Sequence, residues 1–253
     1  GIAAPAIAPY EANELIFRED GTLKSLVEPN SQHLLGTTDG GQDIFSRLVL
    51  GSRATLLVGF GGGMIAILIG MFMGVTSGYL GGKTDELLMR FADFFYGIPV
   101  IPSAILLVAF FGLNFLSLVF IIGAVLWRAS ARVIRSQVIQ IRQRSYIKVL
   151  RASGASDRRI VFKHIIPNIT GMLVPFFSLS SGFAIILQAN LVFIGVGDPF
   201  LPTWGTIIRN AFDAGQMSTA LWWSLPPGLL IILTVVSTFI IGRSYEYTGE
   251  KGI

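Results

Sequence analysis

The side chains that most often carry out catalysis or bind metals are scarce in this 253-residue sequence. It contains no cysteine, and its two histidines, His33 and His164, lie far apart in the chain. A thiolate metal site is therefore excluded, and no nucleophile–base pair or ligand cluster stands out. We interpret His33 as a solvated loop residue and His164 as a member of a basic segment. We predict that this chain has no active site, metal site or cofactor.

What the sequence does concentrate is positive charge. Ten of its nineteen Lys and Arg residues fall between Trp127 and Pro167, where Asp157 is the only acid. Long apolar runs flank this segment, so the cations belong to a loop between membrane spans and do not indicate nucleic-acid binding. Because basic loops resist translocation, we expect residues 128–167 to be cytoplasmic. The ten cations are Arg128, Arg132, Arg135, Arg142, Arg144, Lys148, Arg151, Arg158, Arg159 and Lys163.

The composition is that of an integral membrane protein. Hydrophobic residues make up 52% of the chain and charged residues 13%, roughly half of the ~25% typical of soluble domains. We predict an all-α polytopic bundle with about five complete spans, and we interpret residues 1–9 as the end of a further, missing first span. Residues 1–53 would be that end and an external loop. Residues 54–253 would be a transmembrane domain that includes the basic loop and a cytoplasmic C-terminus.

The uncharged runs place these spans. We expect one over 54–82, two over 94–127 that fold back at 112–114, one over 168–194 and one over 219–242. Prolines should kink the second span at Pro99 and Pro102, interrupt the helix before Pro167, and break the last span near Pro226.

Near the start of the second span, Arg90 and Asp93 lie three residues apart. We predict that they pair on one helix face as an anchor near the cytoplasmic end. A functional role inside the membrane is the alternative.

Two sets of residues within the spans could mediate contacts. Small residues at helical spacing let backbones approach closely, and we favour packing within the chain over contact with a second subunit for Gly59, Gly63, Gly70, Gly74 and Gly78. The polar residues of the span over 168–194 could line a wet path or bond to neighbouring helices; they are Ser178, Ser180, Ser181, Gln188 and Asn190.

The basic segment has the pattern of two helices joined by a turn. Ile134, Val138 and Ile141 recur on one helical face. Gly154 then suits a left-handed helix end. Ser156 is a suitable cap for a second helix, with Asp157 in its first turn.

This segment resembles the cytoplasmic EAA loop of permease subunits in binding-protein-dependent ABC importers. Gly154-Ala155-Ser156-Asp157 and Ile165-Ile166-Pro167-Asn168 match its glycine and closing proline, whereas Lys148-Val149-Leu150 stands where the family has Glu-Ala-Ala. Two further stretches, His33–Arg47 and Leu191–Gly205, are similar to segments of the dipeptide/oligopeptide class.

The resemblance implies a transmembrane subunit that forms half of a path for peptides or similar small solutes in a prokaryotic cell membrane. The implied partners are a second permease, two ATPases and an external solute-binding protein, with ATP and Mg²⁺ on the ATPases. Within the span over 168–194, the resemblance favours a pathway role for Ser180, Ser181, Gln188 and Asn190. The implied ATPase-coupling residues are Ile147, Lys148, Arg151, Ala152, Ser153, Gly154, Ala155, Ser156 and Asp157.

Two other functions remain open from the sequence. A stand-alone secondary transporter or channel commonly shows inverted repeats or intramembrane charge relays. No convincing repeat is visible, and the Arg90 and Asp93 pair is the only candidate relay. A membrane-anchored scaffold could instead recruit a cytoplasmic protein through the basic loop.

Overall fold

The computed structural model describes residues 2–250, with side chains as far as Tyr245. This part of the chain is helical, and its only β-type pairings are two isolated bridges. Within the described residues, four helices are long and apolar enough to cross a membrane, and a bent helix pair provides a fifth crossing if it is counted as one span. The predicted all-α polytopic class is therefore confirmed.

Ten α-helices and one π-helical turn follow one another in the described residues. The chain is helical without a break from Asp157 to Ile194, a stretch that comprises α7, the π-helical turn and α8. The elements are α1 (Ala4–Ile7), α2 (Ile44–Leu80), α3 (Gly82–Tyr96), α4 (Val100–Phe111), α5 (Phe115–Arg142), α6 (Ser145–Ala152), α7 (Asp157–Ile160), the π-helical turn (Val161–Ile165), α8 (Ile166–Ile194), α9 (Trp204–Asp213) and α10 (Leu221–Glu250).

Helix α2 begins at Ile44, earlier than the uncharged run that starts at residue 54. The Asp43 carboxylate caps it by accepting a hydrogen bond from the backbone N–H of Ser46 at 2.7 Å. His33 supports this cap, because its Nδ1 lies 2.9 Å from Asp43 Oδ1 and its side chain is only 1% exposed. The interpretation of His33 as a solvated residue is therefore wrong. Burial beside an acid that lies ten residues further along cannot be read from a local pattern.

The small residues of α2 bring it close to two other helices. A Cβ added at Gly63 would lie 2.8 Å from the Ser181 backbone nitrogen in α8, and one at Gly74 would lie 2.6 Å from the Ala131 carbonyl oxygen in α5. Contacts this short leave no room for a side chain. All five glycines singled out in the sequence face another helix of this chain: Gly59 and Gly63 face α8, and Gly70, Gly74 and Gly78 face α5.

The second predicted span is sharply broken. Helices α3 and α4 meet at 97°, and the break falls where Pro99 precedes the first residue of α4. Pro102 produces no second kink because it lies in the first turn of α4, where backbone N–H groups have no intrahelical partner. The Arg128 side chain, 8% exposed, donates to the carbonyl oxygens of Phe95 and Ile98 at the break.

Two predicted helix breaks are wrong. Pro167 lies at the second position of α8, directly after the π-helical turn, in which the Ile166 N–H bonds to the Val161 carbonyl. This wider turn accommodates the missing proline donor, so the helix continues. Pro226 and Pro227 likewise lie inside the continuous helix α10. Prolines are tolerated within membrane helices because local adjustments satisfy the freed backbone groups.

Much of the predicted basic loop is helical. Helix α5 runs to Arg142, so the cations at its end extend a span, and the irregular connection begins at Gln143. Five helical elements meet α2 at this end of the bundle in a buried group that we call the basic-end cluster. Its residues are Val75, Tyr79, Ile134, Val138, Ile141, Ile147, Ile160, Ile165 and Ile169.

Candidate functional site

Helix α6 and its connection to α7 form a tightly bonded and largely exposed segment, which we call the α6–α7 turn (residues 145–157). Helix α6 ends in a Schellman motif, in which the Gly154 N–H bonds to the Arg151 carbonyl at 3.1 Å and the Ala155 N–H to the Leu150 carbonyl at 3.0 Å. Gly154 has a φ of +80°, and no described residue other than its chain neighbours comes within 4 Å of a Cβ placed at this position. The glycine is therefore required for its left-handed backbone and not for space.

A second cap begins the next helix. The Ser156 side chain is the N-cap of α7 and accepts a hydrogen bond from the Arg159 N–H, as the sequence predicts. Asp157 follows in the first turn, where the helix dipole favours negative charge. Together, the two caps fix the directions in which the chain enters and leaves the turn.

The residues predicted to couple to an ATPase divide into an anchor and a surface. Ile147 is 1% exposed and belongs to the basic-end cluster, so it holds α6 against the spans. Two apolar side chains that were not predicted, Tyr146 and Val149, enlarge the outer surface, with 39% and 63% exposure. Ala155 is half-buried, and the exposed members are Lys148, Arg151, Ala152, Ser153, Gly154, Ser156 and Asp157.

A tyrosine from α2 joins the two helices of this turn. The Tyr79 hydroxyl donates to Asp157 Oδ1 at 2.5 Å and accepts from the Arg151 guanidinium at 3.0 Å. Arg151 also lies 3.6 Å from Asp157 and 5.5 Å from the centroid of the Tyr79 ring. The hydrogen bond to Tyr79 raises the pKa of Arg151. No sequence pattern pointed to Tyr79, since it lies 78 residues from Asp157.

Three arginines on one face of α5 hold α3 against it. Arg135 makes two hydrogen bonds of 2.5 Å to the Asp85 carboxylate, a bidentate geometry. One turn earlier Arg132 pairs with Asp93, and Arg128 reaches the break after α3. The sequence alone predicts all three only as cations of the basic loop.

The predicted pair between Arg90 and Asp93 is not formed. Arg90 instead binds Glu86, four residues earlier, at 2.6 Å, while Asp93 binds Arg132. An acid followed four residues later by a base is a favourable pairing on a helix, and α5 supplies a competing arginine for Asp93. The side chains of Arg90 and Glu86 are 76% and 59% exposed, so this pair is a surface feature.

The four polar residues proposed for a pathway separate into two kinds. Ser181 and Gln188 are fully buried, and among the described side chains neither the Ser181 hydroxyl nor the Gln188 amide has a hydrogen-bond partner. Ser180 is half-buried, and Asn190 is exposed. Within a single chain, therefore, only Ser180 and Asn190 present polar atoms outward. A pathway role for the four remains a prediction.

Comparison with known proteins gives one consistent result. Residues 66–246 match the model of the family described as binding-protein-dependent transport system inner membrane component. The oligopeptide transport system permease protein OppC of Haemophilus influenzae is 35% identical over 83% of this chain and 67% of its own length. The glutathione transport system permease protein GsiD of Pectobacterium atrosepticum is 35% identical over 94% and 78%.

Two further proteins extend this comparison. The dipeptide transport system permease protein DppC of Bacillus subtilis is 30% identical over 95% of this chain and 75% of its own length. Among solved structures, an inward-facing conformation of the MetNI methionine ABC transporter superposes with a TM-score of 0.64. The superposition covers 79% of this chain and 96% of that chain at 20% identity, a likeness of fold.

Proposed function

The chain belongs to the family of binding-protein-dependent transport system inner membrane components, and we propose that it forms half of the membrane path of an ATP-driven importer for peptides or similar small solutes. The family match over 66–246 is the observation that carries this proposal. The substrate class follows from the relatives, whose names refer to oligopeptides, dipeptides and glutathione.

We propose that ATP is bound and hydrolysed by two partner ATPases, with Mg²⁺, and that a second permease completes the path. Gly81-Gly82-Lys83-Thr84 resembles the end of a phosphate-binding loop, but Ser77 occupies the position of that motif's first glycine. These residues also follow a 37-residue membrane helix instead of a strand. This departure supports placing nucleotide chemistry on the partners.

The α6–α7 turn is the surface through which we propose that the ATPases act. It is exposed, fixed by two caps and bonded to α2 through Tyr79. A partner that binds this turn differently in two states shifts the equilibrium between the corresponding states of the bundle. Alternating access to the path would follow from that shift, with the solute delivered by an external binding protein.

The orientation of the chain can be tested by cysteine labelling, because the chain has no cysteine of its own. We propose that the α6–α7 turn and the C-terminus are cytoplasmic and that residues 10–43 are external. In intact cells, with the outer membrane permeabilised where there is one, a membrane-impermeant maleimide should label Glu28→Cys. It should leave Lys148→Cys unlabelled until the inner membrane is opened; both positions are exposed. The reverse pattern would refute this orientation.

Co-purification tests the function itself. The tagged chain, extracted in mild detergent from cells that express its neighbouring transport genes, should bring down two ATPases and a second permease. The ATPase rate should rise when a binding protein loaded with a peptide is added, and it should not rise with the empty binding protein. A chain that transports solute in liposomes without any ATPase would instead establish the secondary-transporter alternative.

A further inference from the structure

The hydroxyl of Tyr79 has a position that packing alone does not explain. The Tyr79 side chain is 4% exposed, and its ring belongs to the basic-end cluster with Ile147 and Ile160. A phenylalanine would fill the same space among these side chains. Only the hydroxyl extends beyond the cluster, where it donates to Asp157 and accepts from Arg151. Its donor and one acceptor site are both used by the α6–α7 turn.

The two partners of this hydroxyl are much more exposed than the tyrosine itself. The side chains of Arg151 and Asp157 are 48% and 67% exposed, and the shortest distance between their charged groups is 3.6 Å. An ion pair so exposed to water contributes little to the stability of the turn by itself. The buried Tyr79 gives both side chains a fixed point of attachment. Arg151 lies in the last turn of α6, and Asp157 begins α7, so this point of attachment holds both sides of the turn.

The helix that carries Tyr79 is in contact with the rest of the bundle. Tyr79 is the second-last residue of α2. The glycines of this helix pack directly on α5 at Gly74 and Gly78 and on α8 at Gly59 and Gly63. Close-packed helices move as units and do not deform continuously. If movement of the turn displaces Tyr79, it therefore also displaces α2 and the helices packed on α2.

We propose that Tyr79 is a positioning residue for energy coupling. The hydrogen bonds of its hydroxyl pass movement of the α6–α7 turn to helix α2. This role rests on the proposed function. It adds a residue outside the coupling loop and assigns α2 as a transmembrane helix that responds together with the continuous helix from Asp157 to Ile194. Without the hydroxyl, the turn still binds its ATPase, but its movement displaces α2 less effectively.

Tyr79→Phe tests the proposal because it removes one oxygen and keeps the ring. The assay uses the whole importer in liposomes and measures ATPase stimulation by the loaded binding protein and solute moved per ATP hydrolysed. We expect both ratios to fall about fivefold, because the substitution removes the bonds of the hydroxyl to Asp157 and Arg151, and a net hydrogen-bond contribution of this size biases one of two states. The amount of assembled complex should match wild type. Unchanged ratios in an assembled Tyr79→Phe complex would overturn the proposal.

Tyr96→Phe is the matched control. Tyr96 lies at the end of α3, where its ring packs under Arg132 and Arg128 at 4.2 and 5.2 Å, rather than beside the turn. Loss of its hydroxyl should leave both ratios at the wild-type value. An equal loss in Tyr96→Phe and Tyr79→Phe would mean that the assay reports general tyrosine loss, and this outcome also counts against the proposal.

Asp157→Ala provides a second route to the same bond, since its exposed side chain can be removed without touching the basic-end cluster. We expect it to lower the ratios as Tyr79→Phe does, with a loss in the double variant that is smaller than the sum of the two single losses, because both substitutions remove the bond between Tyr79 and Asp157. Fully additive losses would overturn the proposal, and so would normal ratios in Asp157→Ala if Tyr79→Phe fails to assemble. If the wild-type chain recovers no ATPase at all, the proposed function itself fails, an outcome distinct from these.

Discussion

Replacement of Gly154 by valine is expected to abolish solute uptake while the chain still inserts into the membrane. Gly154 holds a φ of +80° at the end of α6, a region that costs other L-residues roughly 1–2 kcal/mol and β-branched residues more. A penalty of about 2 kcal/mol disfavours the observed turn roughly thirtyfold. Nothing lies within 4 Å of the added Cβ, so the spans themselves are not disturbed. Uptake assays and membrane quantification by immunoblot would measure the two effects separately.

Two controls separate turn geometry from general damage. Gly154→Asn should retain most of the uptake, because asparagine tolerates the left-handed region. Gly21→Val introduces the same strain at a φ of +80° with equally open surroundings, but in a different exposed turn, and should leave uptake unchanged. Normal uptake by Gly154→Val would remove the coupling role assigned to the α6–α7 turn.

Replacement of Gly74 by alanine is expected to destabilise the bundle. The added Cβ would lie 2.6 Å from the Ala131 carbonyl oxygen and 2.9 Å from Ile134 Cβ. A carbonyl within a helix cannot rotate away, so α2 and α5 must separate. Overpacking of this kind typically costs about 1–3 kcal/mol. Thermal unfolding of the purified protein in detergent should show a lower midpoint, and Gly74→Leu should lower it further.

Gly171→Ala is the matched control for this substitution. Gly171 is also inside a long helix, but among the side chains that the structure describes a Cβ there would meet nothing within 4 Å. Because alanine favours helix over glycine by up to about 1 kcal/mol, the midpoint should stay constant or rise. Equal midpoints for Gly74→Ala and wild type would show that α2 and α5 are not held at the distance described.

The sequence by itself determined the features that depend on neighbouring residues. Uncharged apolar runs specify membrane helices because their backbone groups must be satisfied internally. The α6–α7 turn was likewise predictable, since Gly154 and Ser156 act through the backbone of their own segment. Local proline chemistry predicted the break at Pro99 but failed at Pro167, where a π-helical turn accommodates the ring.

The tertiary structure alone decided which charged and polar groups meet. Tyr79 and Asp157 are 78 residues apart, and Asp85 and Arg135 are 50 apart. Asp93 pairs with Arg132 and not with its neighbour Arg90, and His33 is buried beside Asp43. Spacing along a chain fixes which side chains share a helix face but carries no information about which faces are brought into contact. The packing of α2, α3 and α5 decides which faces meet. In this protein it brings Tyr79 of α2 between Arg151 and Asp157 of the α6–α7 turn.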